Sequence, residues 1–139
     1  MVKRILWLTV LAACAALFWR FGYTATLRYF FKLRGTVVLS GAAAASAAQP
    51  NSMLFVVARN DSGVPVAVRK IINPAFPAAF EIAPGNLILP DLLTRRLTLE
   101  ALVNTHGKLG EFRKGDLRGS APGFVSAFQK DIEIAVAAE

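Results

Sequence analysis

Three side chains in this sequence could together do chemistry: His106, Asp116 and Ser120. A serine, a histidine and an aspartate are the parts of a nucleophilic site, provided that a fold brings them together. No nucleophile elbow accompanies them, and the only histidine sits in Thr105-His-Gly-Lys108, where a solvated turn is the simpler reading. Metal chemistry has less support still. The single cysteine, Cys14, lies in an apolar segment far from the histidine, so no zinc or iron cluster can be drawn. Covalent c-type haem would need Cys-x-x-Cys-His, and a blue-copper centre would need a cysteine in the folded part. Gly115-Asp-Leu-Arg-Gly119 reads as a turn rather than a phosphate loop. The carboxylates Asp91, Glu100, Glu111 and Asp116 are scattered and read as solvated surface. Arg59 and Arg69 end two short apolar runs, where they either pair with acids or mark a binding face. The sequence therefore predicts no catalytic, cofactor or metal residues, and a binding or assembly role.

Charge distribution narrows that role. The chain has 139 residues and a net charge of +7. Six of its 16 basic residues, Lys3, Arg4, Arg20, Arg28, Lys32 and Arg34, lie in residues 1–34 with no acid, which leaves ten against all nine acids beyond. A nucleic-acid binder would concentrate basic charge on its folded part, so no nucleic-acid partner is expected. Charge beside a bilayer is attracted instead to anionic lipid, by about 1 kcal/mol per basic residue.

Ile5 to Trp19 carries no charge. With Phe21, Tyr23, Ala25 and Leu27 it reaches the ~20 residues that a membrane span needs, and Arg20 can snorkel to the interface. Arg20, Thr24, Arg28 and Lys32 recur every four residues as one polar stripe, while Tyr23, Leu27, Tyr29, Phe30 and Phe31 give an aromatic surround. Residues 3–33 thus read as one helix that crosses the bilayer and emerges with a basic side toward the headgroups. Leu11-Ala12-Ala13-Cys14 resembles a lipobox, and a cleaved signal is a second rival. A small lipid-facing or packed Cys14 is the preferred reading. Two basic residues precede the span and four follow it, which taken alone favours a cytoplasmic domain.

From Gly35 the periodicity changes to that of strands. Gly35 to Ser40 is a first β run. Gly41 to Gln49 is a small, featureless loop or short helix. Met53–Arg59 and Val64–Ile72 form a hairpin about Asn60-Asp-Ser-Gly63. Its first strand is apolar on both faces and so is interior to a sandwich. Ala79–Ile82 and a short Leu87-Ile-Leu-Pro90 follow. Arg95 to Val103 alternates, with Leu97, Leu99, Ala101 and Val103 on one face and Arg96, Thr98 and Glu100 on the other. Asp131 to Val136 alternates again and closes the domain. The expected architecture is mainly β: an antiparallel immunoglobulin-like β-sandwich, residues 35–139, behind a transmembrane anchor and juxtamembrane helix, residues 1–34.

The hairpin "LFVVAR…SGVPVAVRKI" resembles a phrase in the C-terminal immunoglobulin-like domain of the cytochrome c-type biogenesis protein CycH (CcmI), "LFVFAR…G-x-P-x-PLAV-x-R". Leu54, Phe55, Val56, Ala58, Arg59, Gly63, Pro65, Ala67, Val68 and Arg69 fit it. Phe76–Ile82 is similar to the family's "LP-x-x-F-x-L", Leu97–Lys108 to "V-x-ARISKSG", and Gly115-Asp-Leu-Arg-Gly-Ser120 to "GDL-x-G-x-S". The resemblance runs in order from about Gly35 to Val136. It marks Phe55, Arg59, Pro65, Arg69, Gly115, Asp116 and Gly119 as framework or partner-binding positions. It also implies a periplasmic β-domain on the bacterial inner membrane, in a non-catalytic protein that holds or positions apocytochrome c for the haem-attachment machinery; the one apolar segment implies that the chain crosses once. Family members carry two transmembrane helices, a helical-repeat region and a methionine-rich segment. Here there is one anchor, there are no repeats, and Asn86-Leu-Ile-Leu-Pro90 stands in the methionine-rich place. A permanent accessory subunit of a respiratory or photosynthetic membrane redox complex, gripping a cytochrome or a neighbouring subunit, is the alternative.

Overall fold

A computed structural model describes residues 1–40, 51–108, 110, 111, 113 and 115–138. Gly41 to Gln49, the featureless stretch, and Phe112 lie outside the described residues.

The chain opens with α1 (Val2–Leu17), a π-helical turn (Phe18–Gly22) and α2 (Tyr23–Phe30), together 29 residues of continuous helix. At ~1.5 Å per residue that is roughly 43 Å, more than the ~30 Å of a bilayer's hydrocarbon. No residue of α1 or the π-helical turn is buried against protein. The helix stops at Phe30, and Phe31 is already extended in ψ (118°).

Strand β1 (Leu33–Leu39) begins two residues later. It is followed by β2 (Met53–Arg59), β3 (Pro65–Ile72), β4 (Ala78–Ile82), β5 (Arg96–Asn104), β6 (Leu117–Ser120), β7 (Val125–Ser126) and β8 (Ile132–Ala138). Leu87-Ile-Leu-Pro90 is not a strand. It lies between two 3-10 turns, Pro84–Asn86 and Pro90–Leu92, and touches the sheet only where Leu87 bridges Ala67.

The antiparallel sandwich is met only in part. The domain is mainly β, but its strands form one continuous path, β3-β2-β5-β6-β8-β1-β4, with β7 paired to β5. β1 lies parallel to β8, Gly35 opposite Ile132 through Leu39 opposite Val136, so the sheet is mixed. The free edges of β3 and β4 curl back toward one another, which makes the sheet barrel-like. Alternation fixes which face of a strand is buried but not the direction of its neighbour, so the closing strand's parallel pairing was not legible.

The hairpin has the expected register, Phe55 opposite Lys70 and Val57 opposite Val68, with a bulge at Ala58/Arg59. β2 is flanked by β3 and β5. Leu54, Val56 and Ala58 enter the core, whereas Phe55 and Val57 are buried on the opposite face. The Lys70 ammonium, 5.8 Å from the ring centroid, covers Phe55. β5 alternates as its sequence dictates, Leu97, Leu99, Ala101 and Val103 being buried. Gly119 is required by a close approach: a Cβ there would lie 1.9 Å from the Ala135 carbonyl oxygen, where β6 crosses β8.

The helix is not simply tethered to this barrel. Leu27 of α2 and Phe31 belong to the core, and Phe31 is the bulkiest of the fully buried side chains, at 1% exposure. Polar contacts surround this plug. Arg28 donates from Nε to the Pro90 carbonyl at 3.2 Å and pairs with Asp91. Lys32 and Arg34 both reach Glu81 on β4, each at 3.3 Å. Lys32 and Arg34 also donate their N–H groups to the carbonyls of Ala127 and Gln129. Arg28 and Lys32, expected to face lipid headgroups, are thus engaged by the domain's own acids, and Leu27 and Phe31, expected in the aromatic surround, are buried in it.

Two outcomes test this junction. Phe31→Ala should cost about 3–5 kcal/mol of domain stability, the usual range for a large buried ring, read by urea unfolding of the full chain in detergent. A loss near zero would mean that α2 does not plug the barrel. The Glu81 carboxyl is held below the ordinary glutamate range, chiefly by the Lys32 hydrogen bond, with desolvation opposing and the charges of Arg34 and Lys32 adding to it. A lowered folded pKa gives stability that is present at neutral pH and lost as pH falls below that range through the lowered value. Glu81→Gln should therefore flatten that stretch of the curve of melting temperature against pH; superimposable curves would refute the coupling.

Candidate functional site

His106 follows β5, in the bend that reverses the chain beyond Asn104. The Asn104 side chain holds that bend by accepting the Gly107 N–H at 2.9 Å and donating to the Lys108 carbonyl at 3.3 Å. His106 is not a solvated turn residue, and Asp116 is not a solvated carboxylate. Their side chains are only 10% and 9% exposed, and Nε2 lies 2.7 Å from Oδ2. The Lys108 N–H donates to Nδ1 at 3.2 Å, so Nδ1 is the accepting nitrogen and Nε2–H donates to the carboxylate. The same carboxylate oxygen also accepts the Arg113 N–H at 2.9 Å. Gly115, at φ +95°, supplies the left-handed turn that swings Asp116 inward.

This arrangement defines what the pair can do. Both histidine nitrogens are occupied, one as acceptor and one as donor, so the ring has no free lone pair for a metal, a haem iron or a substrate proton. Ser120 lies opposite Glu100 in the β5–β6 register, at the other end of β6 from Asp116. The three residues therefore do not form a catalytic triad. The His106–Asp116 bond clamps the excursion between β5 and β6. Among the described residues no three His, Cys, Asp or Glu side chains converge on a point, and no buried side-chain polar atom lacks a partner.

Beside the clamp runs a groove of about 240 Å³ on the outer face of β2, β5 and β6. Its central charge is Glu100, whose side chain is 13% exposed rather than solvated. Glu100 takes Arg118 Nε at 2.8 Å and Arg59 Nε at 3.7 Å, so one carboxylate sets two guanidinium groups. Arg59 also reaches the Gly63 carbonyl at 3.4 Å, tying the hairpin turn to this cluster. Half-buried Leu102 gives the groove an apolar floor, and Lys108, Glu111 and Asp116 line its far end. Among the described residues, the ionisable ones lining it are three basic, Arg59, Lys108 and Arg118, and three acidic, Glu100, Glu111 and Asp116.

Of the seven positions singled out by resemblance, Arg59 and Asp116 line this groove. Gly115 and Gly119 bracket Leu117 and Arg118 on its β6 wall. Phe55 lies beside it on the same face of β2, opposite Leu102, and Pro65 opposes Arg59 across the bulge. Arg69 is elsewhere. It is exposed on the edge strand β3 and, with Arg34, Phe80, Glu81 and Asp131, lines a shallower hollow of about 430 Å³. Charged side chains on a free edge guard it against pairing with other chains, which accounts for Arg69 beside Lys70. Sequence reasoning missed Glu100 and Arg118. Their partnership needed β2 and β6 to flank β5, a pairing that neither residue's local sequence reveals.

Asp116→Ala should cost about 1–3 kcal/mol, because it strands a buried histidine donor and the Arg113 N–H. Denaturant unfolding of His106→Ala, Asp116→Ala and the double variant should show coupling of roughly 0.5–3 kcal/mol. Strict additivity would mean that the two side chains do not act as one clamp.

Comparison with known proteins sets this geometry in a family. No solved structure matches the chain. An uncharacterised protein of Aquifex aeolicus (strain VF5) is 33% identical over 85 residues, and the match covers 60% of this chain and 55% of that one. The family model described as "Cytochrome c-type biogenesis protein H Ig-like domain" matches residues 33–137, from the first residue of β1 to the penultimate residue of β8. With all eight strands in that match but for the last residue of β8, the chain belongs to the cytochrome c-type biogenesis protein H Ig-like domain family.

Proposed function

We propose that this protein is a single-pass, membrane-anchored binding protein of cytochrome c biogenesis that holds or positions apocytochrome c beside the haem-attachment machinery. Family membership carries this reading. The division of labour is an anchor in residues 1–34 and a binding domain in residues 35–139, with the domain on the periplasmic side of the bacterial inner membrane. Three of the four basic residues that follow the span, Arg28, Lys32 and Arg34, are engaged by Asp91 and Glu81. That supports reading them as parts of the domain rather than as signals holding it in the cytoplasm.

The groove is suited to polypeptide. Three cations and three carboxylates over an apolar floor offer donors and acceptors of both signs. A phosphate chain or nucleic acid would instead call for an excess of cations. The groove follows the strands from Arg59 toward Asn104. Asn104 lies six residue steps beyond Thr98, which is opposite Arg59, and at about 3.3 Å per step that is roughly 20 Å of extended chain. Phe55, Arg59, Pro65, Gly115, Asp116 and Gly119 act here by shaping or lining the groove, and Arg69 acts at the edge.

The test is gentle detergent extraction from native membranes, with mass spectrometry of what co-purifies with the native chain and with Glu100→Lys. Haem-free cytochrome c or haem-attachment components should accompany the native chain and be depleted from the variant. Stoichiometric recovery of a mature redox complex, equal for both, would overturn this reading in favour of a permanent accessory subunit.

A further inference from the structure

The two ends of the barrel are not alike. β1 starts, β2 ends, β4 ends, β5 starts and β8 starts at the end where the helix enters. The hairpin turn, the 83–95 connection and the 121–131 connection therefore gather around the helix exit. Hydrogen bonds tie these loops together. Asn60 Nδ2 donates to the Leu92 carbonyl at 3.1 Å, the Asp61 N–H to Thr94 Oγ1 at 3.3 Å, and the Ala127 N–H to the Arg95 carbonyl at 3.0 Å.

Beyond the π-helical turn, eight large apolar or aromatic side chains among the described residues are exposed. Ile72, at the far end, is one. The other seven all lie at the helix end. Tyr29 and Phe30 are on α2, 78% and 60% exposed, and their rings meet edge to face at 5.1 Å. Ile88, Leu89 and Leu92 project from the connection that Arg28 grips. Phe124 and Phe128 project from the last connection, with the Arg96 guanidinium 4.1 Å from the Phe124 ring centroid. Arg95, Arg96 and Lys130 are exposed among them, as are Asp61, Asp91 and Asp131, of which Asp91 is paired with Arg28.

We propose that this end of the domain is a bilayer-docking surface: Ile88, Leu89, Leu92, Phe124 and Phe128 seat in the lipid interface around the helix exit, with Arg95, Arg96 and Lys130 toward the headgroups. This rests on reading the apolar part of the Val2–Phe30 helix, before Leu27, as a membrane span. The occupant follows from continuity, because the apolar ring surrounds the point where that span leaves the lipid, and the described residues form no comparable ring at the other end. Its composition of aromatic and aliphatic groups with interspersed cations suits an interface with anionic headgroups. Leu27 and Phe31 fix α2 in the core, so the domain has a set tilt relative to the helix, and the ring meets the membrane as a unit. The groove beside Glu100 then lies on a flank that rises from the lipid.

Full-length protein in liposomes containing anionic lipid tests this directly. In a Cys14→Ala background, Phe124→Cys, Phe128→Cys, Leu89→Cys and Ile72→Cys are each labelled with an environment-sensitive fluorophore and challenged with lipids quenching at shallow depth. Positions 124, 128 and 89 should be blue-shifted and strongly quenched, position 72 neither. Both tryptophans, Trp7 and Trp19, lie in the helix, so quenching of their own emission by deep brominated lipid reports the span independently. Quenched tryptophans with positions 124, 128 and 89 no more quenched than 72 would overturn the docking surface and leave the span intact. Cross-linking of those three positions to a second copy or to another protein, rather than to lipid, would overturn it equally. Unquenched tryptophans would overturn span and docking together.

Discussion

The structure depends on a ring and a leucine from the helix completing the core of the sheet. Phe31 and Leu27 close the end of the barrel at which β1 begins. Without them, that end of the core would open to water beneath Leu33 and Ile82, both fully buried. Apolar side chains removed from water each contribute about 1.5–3 kcal/mol, and here part of that stabilisation is lent by a segment that would otherwise be only an anchor. The domain and the top of its helix are therefore one packed body. The ion pairs around the plug are mostly exposed and add little individually. Their effect is to fix direction, since Arg28 can satisfy the Pro90 carbonyl and Asp91 only when α2 arrives at one angle.

That fixed arrival organises the loops around it. Asn60 is buried at the hairpin turn, where its side-chain oxygen accepts the N–H groups of Ser62 and Val64 and its amide reaches Leu92. The turn of the β2–β3 hairpin is thus bolted to the same connection that Arg28 holds. Arg59, one residue before the turn, inherits that placement and presents its guanidinium to Glu100. A chain of short contacts leads from the N-terminal apolar helix, through Asp91, Leu92 and Asn60, to the charge at the centre of the groove.

Much of this was legible in the sequence, and the parts that were not share a cause. The hairpin at Asn60–Gly63 and the two-residue alternation of Leu97 to Val103 are local patterns, and each formed where the pattern placed it; the apolar helix formed too, but it stops at Phe30 instead of running on to residue 33, because Leu33 already belongs to β1. The resemblance to the family was carried by short phrases and held over residues 33–137. What failed was non-local. A histidine in a Thr-His-Gly turn reads as solvated until a carboxylate ten residues away folds over it. Glu100 reads as the polar side of an alternating strand until strands on both flanks deliver an arginine. The parallel pairing of β8 with β1 joins the last strand to the first, and no local signal encodes that direction. Leu27 and Phe31 read as interfacial aromatics and aliphatics because periodicity cannot tell lipid from protein core; both reward the same side chains.

The balance of charge within the groove bears on what a partner would experience. Glu100 is shared between the half-exposed guanidinium groups of Arg59 and Arg118, and Glu111 is shared between Lys108 and Arg113. A bound chain could exchange into these pairs with little unpaired charge left behind, the condition under which polar recognition remains reversible. A core of fixed apolar packing would instead hold its ligand by burial and release it slowly. The clamp at His106 and Asp116 keeps the far wall in place with both ring nitrogens engaged, so the one histidine stays committed to the fold.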